Sequence, residues 1–334
     1  MQDNYDVLHI KVAAVCPGVL ISGTIALAAT WLAQHYNTPV MLFALLLAMA
    51  FRFLHKEGRC IAGIEFSSKS LLRVGVGLLG ARITIADIAD LSVGPVLTVA
   101  VAVVSTIAFG MMLARCLGLR PLFGLLSGSS VAICGGSAAL AVGSSLPEHK
   151  DNERDTILTV VVVTALSTVA MIVYPIFVKT IGFDDERAGI FLGGAIHEVA
   201  QVIGAGYMIS PRAGDVATYV KLLRIAMLLP VVLVIPLLFQ PGSSEVSTRK
   251  TAFPPFLVGF VLLVALRSTN VVPVAIVDLA NDISRWSLVA AIAALGMKTS
   301  FKHVFSAGWR PVFLICAETA WIAAVVFMAI RFAI

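Results

Sequence analysis

The sequence predicts an all-α polytopic membrane protein of ten to eleven transmembrane helices, with inverted repeats and with broken helices in a core domain. Three observations predict it. Hydrophobic types make up 59% of the 334 residues and charged types 13%, about half the charged share of a soluble domain. The apolar residues gather into runs close to the ~20 residues that a bilayer requires. Two of these runs carry glycine, hydroxyl and ionisable groups in their middle, where a helix in lipid has no use for them.

Eleven runs are read in order, roughly 12–34, 38–54, 66–83, 91–116, 120–144, 156–180, 186–208, 216–239, 253–268, 284–299 and 308–332. The first follows "MQDNYDVLHIK", which is acidic before Lys11. It is longer than the ~7–15 apolar residues of a signal peptide, so it reads as a span. The third, fifth, seventh and tenth runs are short, glycine-rich or polar. "LPEHKDNERD" (146–155) and "FQPGSSEVSTRKT" (239–251) are the clearest loops, the second being the best linker.

Net charge is +5. No basic block with interleaved aromatics accompanies it, which argues against nucleic acid; the excess fits Lys and Arg in cytoplasmic loops. With eleven crossings, fifteen of the 24 Lys and Arg fall on the N-terminal side, Arg115, Arg120, Lys179 and Arg187 among them. This bias puts the N-terminus in the cytoplasm of a multi-pass protein of the bacterial inner membrane. The five cysteines are odd in number, widely spaced and without a CxxC pair, so neither a disulfide framework nor a zinc site is expected.

An internal repeat links "LLGARITIADIADLSVGPV" (78–96) to "ALGMKTSFKHVFSAGWRPV" (294–312). At an offset of 216, Gly80 meets Gly296 and Pro95-Val96 meets Pro311-Val312; near 215, "LLLAMAFR" (45–52) resembles "VLLVALR" (261–267). The copies lie seven runs apart, an odd shift that inverts one against the other, as in secondary transporters. The chain divides accordingly into 1–117, a central 118–210 and an inverted 211–334.

The fifth run, "PLFGLLSGSSVAICGGSAALAVGSSL", holds two small polar clusters, Ser127-Gly128-Ser129-Ser130 and Gly135-Gly136-Ser137. Close helix packing explains one such cluster. Two of them, with glycine costing about 1 kcal/mol in a helix interior, point to an interrupted helix lining a cavity. A break frees backbone N–H groups at the positive end of the following half-helix. Those donors suit an oxyanion, and Ser127, Ser129, Ser130 and Ser137 add hydroxyls beside Gly135 and Gly136.

The seventh run, "FLGGAIHEVAQVIGAGY" (191–207), places His197, Glu198 and Gln201 among apolar residues. On a continuous helix, Gly194, His197, Gln201 and Gly204 form one stripe, with Glu198 beside it. An intramembrane acid faces the protein interior or water. "HEVAQ" lacks the second histidine of H-E-x-x-H, with Gln201 in its place, so a zinc protease is short of a ligand. In the eighth run Lys221 and Arg224 share a face. Either alone reads as a snorkelling side chain; together they attract an anion. Glu318 is the other deep acid.

At "SGSSVAICGGSAALAV", "GGAIHEVAQVIGAGY", "VKLLRIAMLLPVV" and "LLRVGVGLLGARIT" the sequence resembles the YeiH-type sulfate exporter family, over nearly its full length. That family is grouped with the bile acid/arsenite/riboflavin transporter superfamily. The resemblance implies two inverted five-helix units, a core domain with crossing broken helices, and a panel domain.

These readings lead to a secondary active transporter of a small anion, sulfate or an organosulfonate, working by alternating access. Ser127, Ser129, Ser130, Gly135, Gly136, Ser137, Gln201, Lys221 and Arg224 are its candidate substrate residues, and His197, Glu198 and Glu318 its proton- or ion-coupling residues. Its partners are the anion and the bilayer, with a homodimer left open. No enzyme activity, cofactor or metal is expected. A cation/proton antiporter built on Glu198 and Glu318 and a sodium-coupled importer of organic anions stand as alternatives, ahead of an intramembrane metalloenzyme.

Overall fold

The computed structural model describes residues 2–36, 39–56, 58–81, 84, 86, 94–147, 149–239, 255–269, 272–299 and 308–332. The helices are α1 (Gln2–Tyr36), α2 (Val40–Ala50), α3 (Phe53–Lys56), α4 (Ile61–Phe66), which continues through a π-helical segment (Ser67–Leu71) into α5 (Leu72–Leu79), α6 (Gly94–Cys116), α7 (Pro121–Ala132) and α8 (Gly136–Gly143). They go on through α9 (Asn152–Ile181), α10 (Asp185–Ala195), α11 (Val199–Ile209), α12 (Pro211–Ala226), α13 (Leu228–Phe239), α14 (Pro255–Ser268), α15 (Val274–Lys298) and α16 (Trp309–Phe332). Every described element is therefore helical, the form in which a chain satisfies its own backbone in lipid.

Five stretches among the described residues have the length and composition to cross a membrane: Ala14–Tyr36, Gly94–Cys116, Asn152–Ile181, Pro211–Ile235 and Trp309–Phe332. The remaining runs are helical but shorter, interrupted or more polar. The linker 239–251 lies, beyond Phe239, outside the described residues, and so do parts of both repeat strings, 78–96 and 294–312.

The chain forms two compact units, one of Met1–Asp90 with Pro254–Thr299 and one of Leu91–Phe253 with Ser300–Ile334. These units do not coincide with a division at 117 and 210. In the first unit, the two glycines that align at an offset of 216 each meet a backbone carbonyl. Gly80 lies against the carbonyl of Phe260, and Gly296 against the carbonyl of Leu45. Leu45 and Phe260 are themselves 215 positions apart, so the two glycine contacts join the same pair of sequence segments in reverse. Glu65 anchors the same unit, with Lys69 and Lys298 each at 2.8 Å.

In the second unit α9 serves as a ruler, since its 30 residues extend roughly 45 Å. Arg120, before α7, pairs with Asp155 and reaches Asn152 Oδ1 at 3.4 Å. Asn152 Nδ2 in turn donates to the carbonyl of Pro147, just past α8, at 2.8 Å. Both ends of the α7–α8 segment thus sit at the start of α9. The segment is a helical hairpin whose tip is 133–135.

Helices α10 and α11 form a second hairpin from the opposite end. Phe191 packs on Tyr174 and Phe177 toward the end of α9, at ring-centroid distances of 5.4 and 5.5 Å. Gly189 of α10 and Gly206 of α11 flank one turn of α12: a Cβ on either would lie 2.9 or 3.2 Å from the carbonyl of Ala213. The tip, 196–198, lies beside Thr164 and Ser167 in the middle of α9.

The fifth and seventh runs are therefore broken, but they turn back rather than cross. Helices of 12, 8, 11 and 11 residues are each no longer than ~18 Å, short of a ~30 Å hydrocarbon core. The charge count changes with them: Arg120 and Lys179, placed on one side when every run crosses, stand at opposite ends of α9.

Candidate functional site

The two tips meet. At the first, α7 ends at Ala132 and Gly135 turns the chain with φ +52° and ψ −124°, a conformation that glycine adopts readily because it has no Cβ. Ser130 Oγ donates to the carbonyl of Gly135 at 2.7 Å and holds the turn. At the second, α10 ends at Ala195 and Glu198 becomes the N-cap residue of α11 in extended conformation.

Glu198 Oε1 accepts from the N–H of Gly136 at 2.8 Å and from Thr164 Oγ1 at 3.4 Å. Its own N–H donates to Ser167 Oγ at 3.0 Å. A Cβ on Gly135 would collide with the Glu198 carboxylate, and one on Gly136 would touch it at 3.4 Å. The bare glycine backbone is thus a cradle shaped to a carboxylate-sized oxyanion. The N-termini of α8 and α11, both positive dipole ends, converge on it. Glu198 and Gly136 are half-buried and Ser137 is exposed, so the cradle reaches the surface of its unit.

Behind the cradle lie the other ends of the breaks, the C-termini of α7 and α10. Lys221 Nζ donates to the carbonyls of Ile133 at 2.8 Å, Ile196 at 3.1 Å and His197. Arg224 Nε donates to Ala132 at 2.7 Å, one terminal nitrogen to Gly193 and Ile196 at 2.9 and 2.8 Å, and the other to Val131 at 2.7 Å. Both side chains are fully buried. The last carbonyls of a helix lack intrahelical partners, and a positive charge complements their negative end. The basic pair therefore caps two broken helices and presents its donors to the backbone. Sequence reasoning placed an anion there instead, because it could not see that two C-termini would converge on α12.

His197 belongs to the same frame. Its Nδ1 lies 3.2 Å from the carbonyl of Val131 and its Nε2 3.0 Å from Thr319 Oγ1, tying the second tip to α7 and α16. The stripe expected through Gly194, His197, Gln201 and Gly204 is cut by the break at 196–198. Ser127 donates to Glu318 Oε1 at 2.7 Å, which puts both on the α7–α16 contact and away from the cradle. Ser129 Oγ, Gln201 Oε1 and Glu318 Oε2 are buried without a hydrogen-bond partner. Thr164 and Ser167 were missed; their signal was a hydroxyl pair at i, i+3 inside the apolar "TVVVVTALSTVA".

Among known proteins, the family described as "Conserved hypothetical protein 698" matches residues 17–315. The chain is 52% identical over 313 residues to UPF0324 membrane protein CT0845 of Chlorobaculum tepidum, covering 93% of this chain and 87% of that one. It is 46% identical to UPF0324 membrane protein TauZ of Paracoccus denitrificans, over 93% and 94% of the two chains. A UPF0324 membrane protein of Caulobacter vibrioides is 33% identical over 97% of this chain and 70% of its own. No solved structure matches.

Proposed function

The chain belongs to the Conserved hypothetical protein 698 family, whose relatives are named membrane proteins, and from that premise we propose that it is a secondary active transporter of a small anion, sulfate or an organosulfonate. The carrying observation is the meeting of two re-entrant hairpin tips at the Gly135–Gly136 cradle, already shaped around the carboxylate of Glu198. Broken helices whose positive ends point at an anionic group are a recurring transporter site.

In this reading the anion sits on the N–H of Gly136 with Ser137 at the rim, and Thr164 adds a hydroxyl from α9. Lys221 and Arg224 supply a fixed positive field from behind while holding the tips in place. Glu198 carries the coupling proton, and Ser127 with Glu318 sets the α7–α16 contact. The exchanged glycine contacts of the first unit support an inverted repeat and with it alternating access in an inner membrane, the plan of the bile acid/arsenite/riboflavin transporter superfamily.

Flux into proteoliposomes tests it. Labelled sulfate or a labelled small sulfonate is expected to enter with wild-type protein and not with Gly135→Ala. Movement of sodium or potassium against protons, with both anions left outside, would replace this reading with a cation antiporter.

A further inference from the structure

Glu198 is itself an oxyanion seated at the start of α8, on the N–H of Gly136. A transported oxyanion using that amide meets it there. Two like charges within about 4 Å repel strongly in a partly dry site, and the amide of Gly136 is already taken by Glu198 Oε1. Protonation removes the charge and turns one carboxyl oxygen into a donor.

Gln201, on the helix that Glu198 caps, carries an acceptor for that donor. In a capping box the third residue of a helix reaches back to the N–H of the N-cap residue. Glu198 is the N-cap of α11 and Gln201 its third residue. Here, however, the N–H of Glu198 is donated to Ser167 Oγ. Gln201 Oε1 is left with no partner, on a side chain only 3% exposed. A buried acceptor without a donor is costly, and a neutral Glu198, three positions before it at the N-cap of the same helix, carries a donor.

We propose that Glu198 is a tethered competitor of the transported anion: a proton moves its carboxyl from Gly136 to Gln201, the anion takes the vacated amide, and proton and anion cross in the same direction. This rests on the transporter reading above and adds the sign of the coupling. Of the surrounding elements, α9 contributes Thr164 and Ser167, which do not titrate in this range. The tips contribute Cys134 and His197, the latter held by Val131 and Thr319. Helix α12 contributes Lys221 and Arg224, held by carbonyls.

Isothermal titration of the purified protein with sulfate and with methanesulfonate, at several pH values and in buffers of different ionisation enthalpy, reads affinity and proton exchange together. Wild-type affinity is expected to rise as pH falls, approaching about tenfold per pH unit, with about one proton taken up per anion. Glu198→Gln is expected to bind the anion with an affinity independent of pH. Protons released on binding, affinity that falls with falling pH or does not change with it, or a Glu198→Gln protein that keeps the wild-type pH dependence would each overturn the coupling while leaving an anion site. Absence of anion binding at every pH would overturn the transporter reading with it. The proton count on wild-type protein decides the sign even where the variant fails to fold.

Discussion

The N–H of Gly136 donates to Glu198 Oε1 at 2.8 Å, and this bond joins the tips of two hairpins that enter from opposite ends of α9. Each tip is a place where a helix stops and its dipole ends become chemically available. The convergence sorts those ends: positive ends gather around a carboxylate, and negative ends around Lys221 and Arg224.

Replacing Gly135 by alanine sets a Cβ against the Glu198 carboxylate at a positive φ. A stability loss of about 1–3 kcal/mol is expected, with transport abolished. Gly136→Ala makes only an ordinary 3.4 Å contact and is expected to fold normally. Thermal unfolding in detergent, followed by flux, separates the two variants.

The hairpin topology predicts labelling from particular sides. In an otherwise cysteine-free protein, Cys116 and a cysteine at Ser144, both exposed, are expected to react with a membrane-impermeant maleimide from the same side. Cysteines at Asp184 and Arg212 are expected to react together from the other. Opposite-sided labelling of 116 and 144 would restore a crossing fifth helix.

Lys221→Met removes donors from three buried carbonyls, and Arg224→Lys cannot span the four acceptors that the guanidinium reaches. An unsatisfied buried acceptor costs about 1–3 kcal/mol, so each variant is expected to lose about 2–4 kcal/mol. Hydrogen exchange should rise at 131–135 and 193–198. A variant of unchanged stability that lost only anion affinity would show that the basic pair touches the substrate after all.

Thr319→Val keeps shape but removes the partner of His197 Nε2. Loss of about 1 kcal/mol is expected, with the pH dependence of anion binding unmoved, because His197 serves as a tie between helices. A shifted pH profile would make His197 part of the proton path.

The break in the fifth run was legible because breaking a helix has local causes: the glycine and serine pairs at 127–137 are visible without a neighbour. The seventh run read as one helical stripe, and its break at 196–198 appears only in the structure. What the breaks do was not legible. That the chain returns after Gly135, bringing Pro147 and Arg120 together on Asn152, is encoded by no spacing. Lys221 and Arg224 look the same in a sequence whether they face an anion or two helix C-termini. The alignment of Gly80 with Gly296 is an offset in the sequence; their packing on the carbonyls of Phe260 and Leu45 appears only in three dimensions.

Gly136→Pro removes the donor on which the site depends. Proline is tolerated at the first position of a helix, so α8 is kept, while a ring carbon replaces the N–H that meets Glu198 Oε1 at 2.8 Å. Equilibrium titration with sulfate and methanesulfonate is expected to show at least about tenfold weaker binding than wild type, the equivalent of one charge-assisted hydrogen bond. Equal affinity in a folded Gly136→Pro protein would mean that the anion does not bind where the hairpin tips meet.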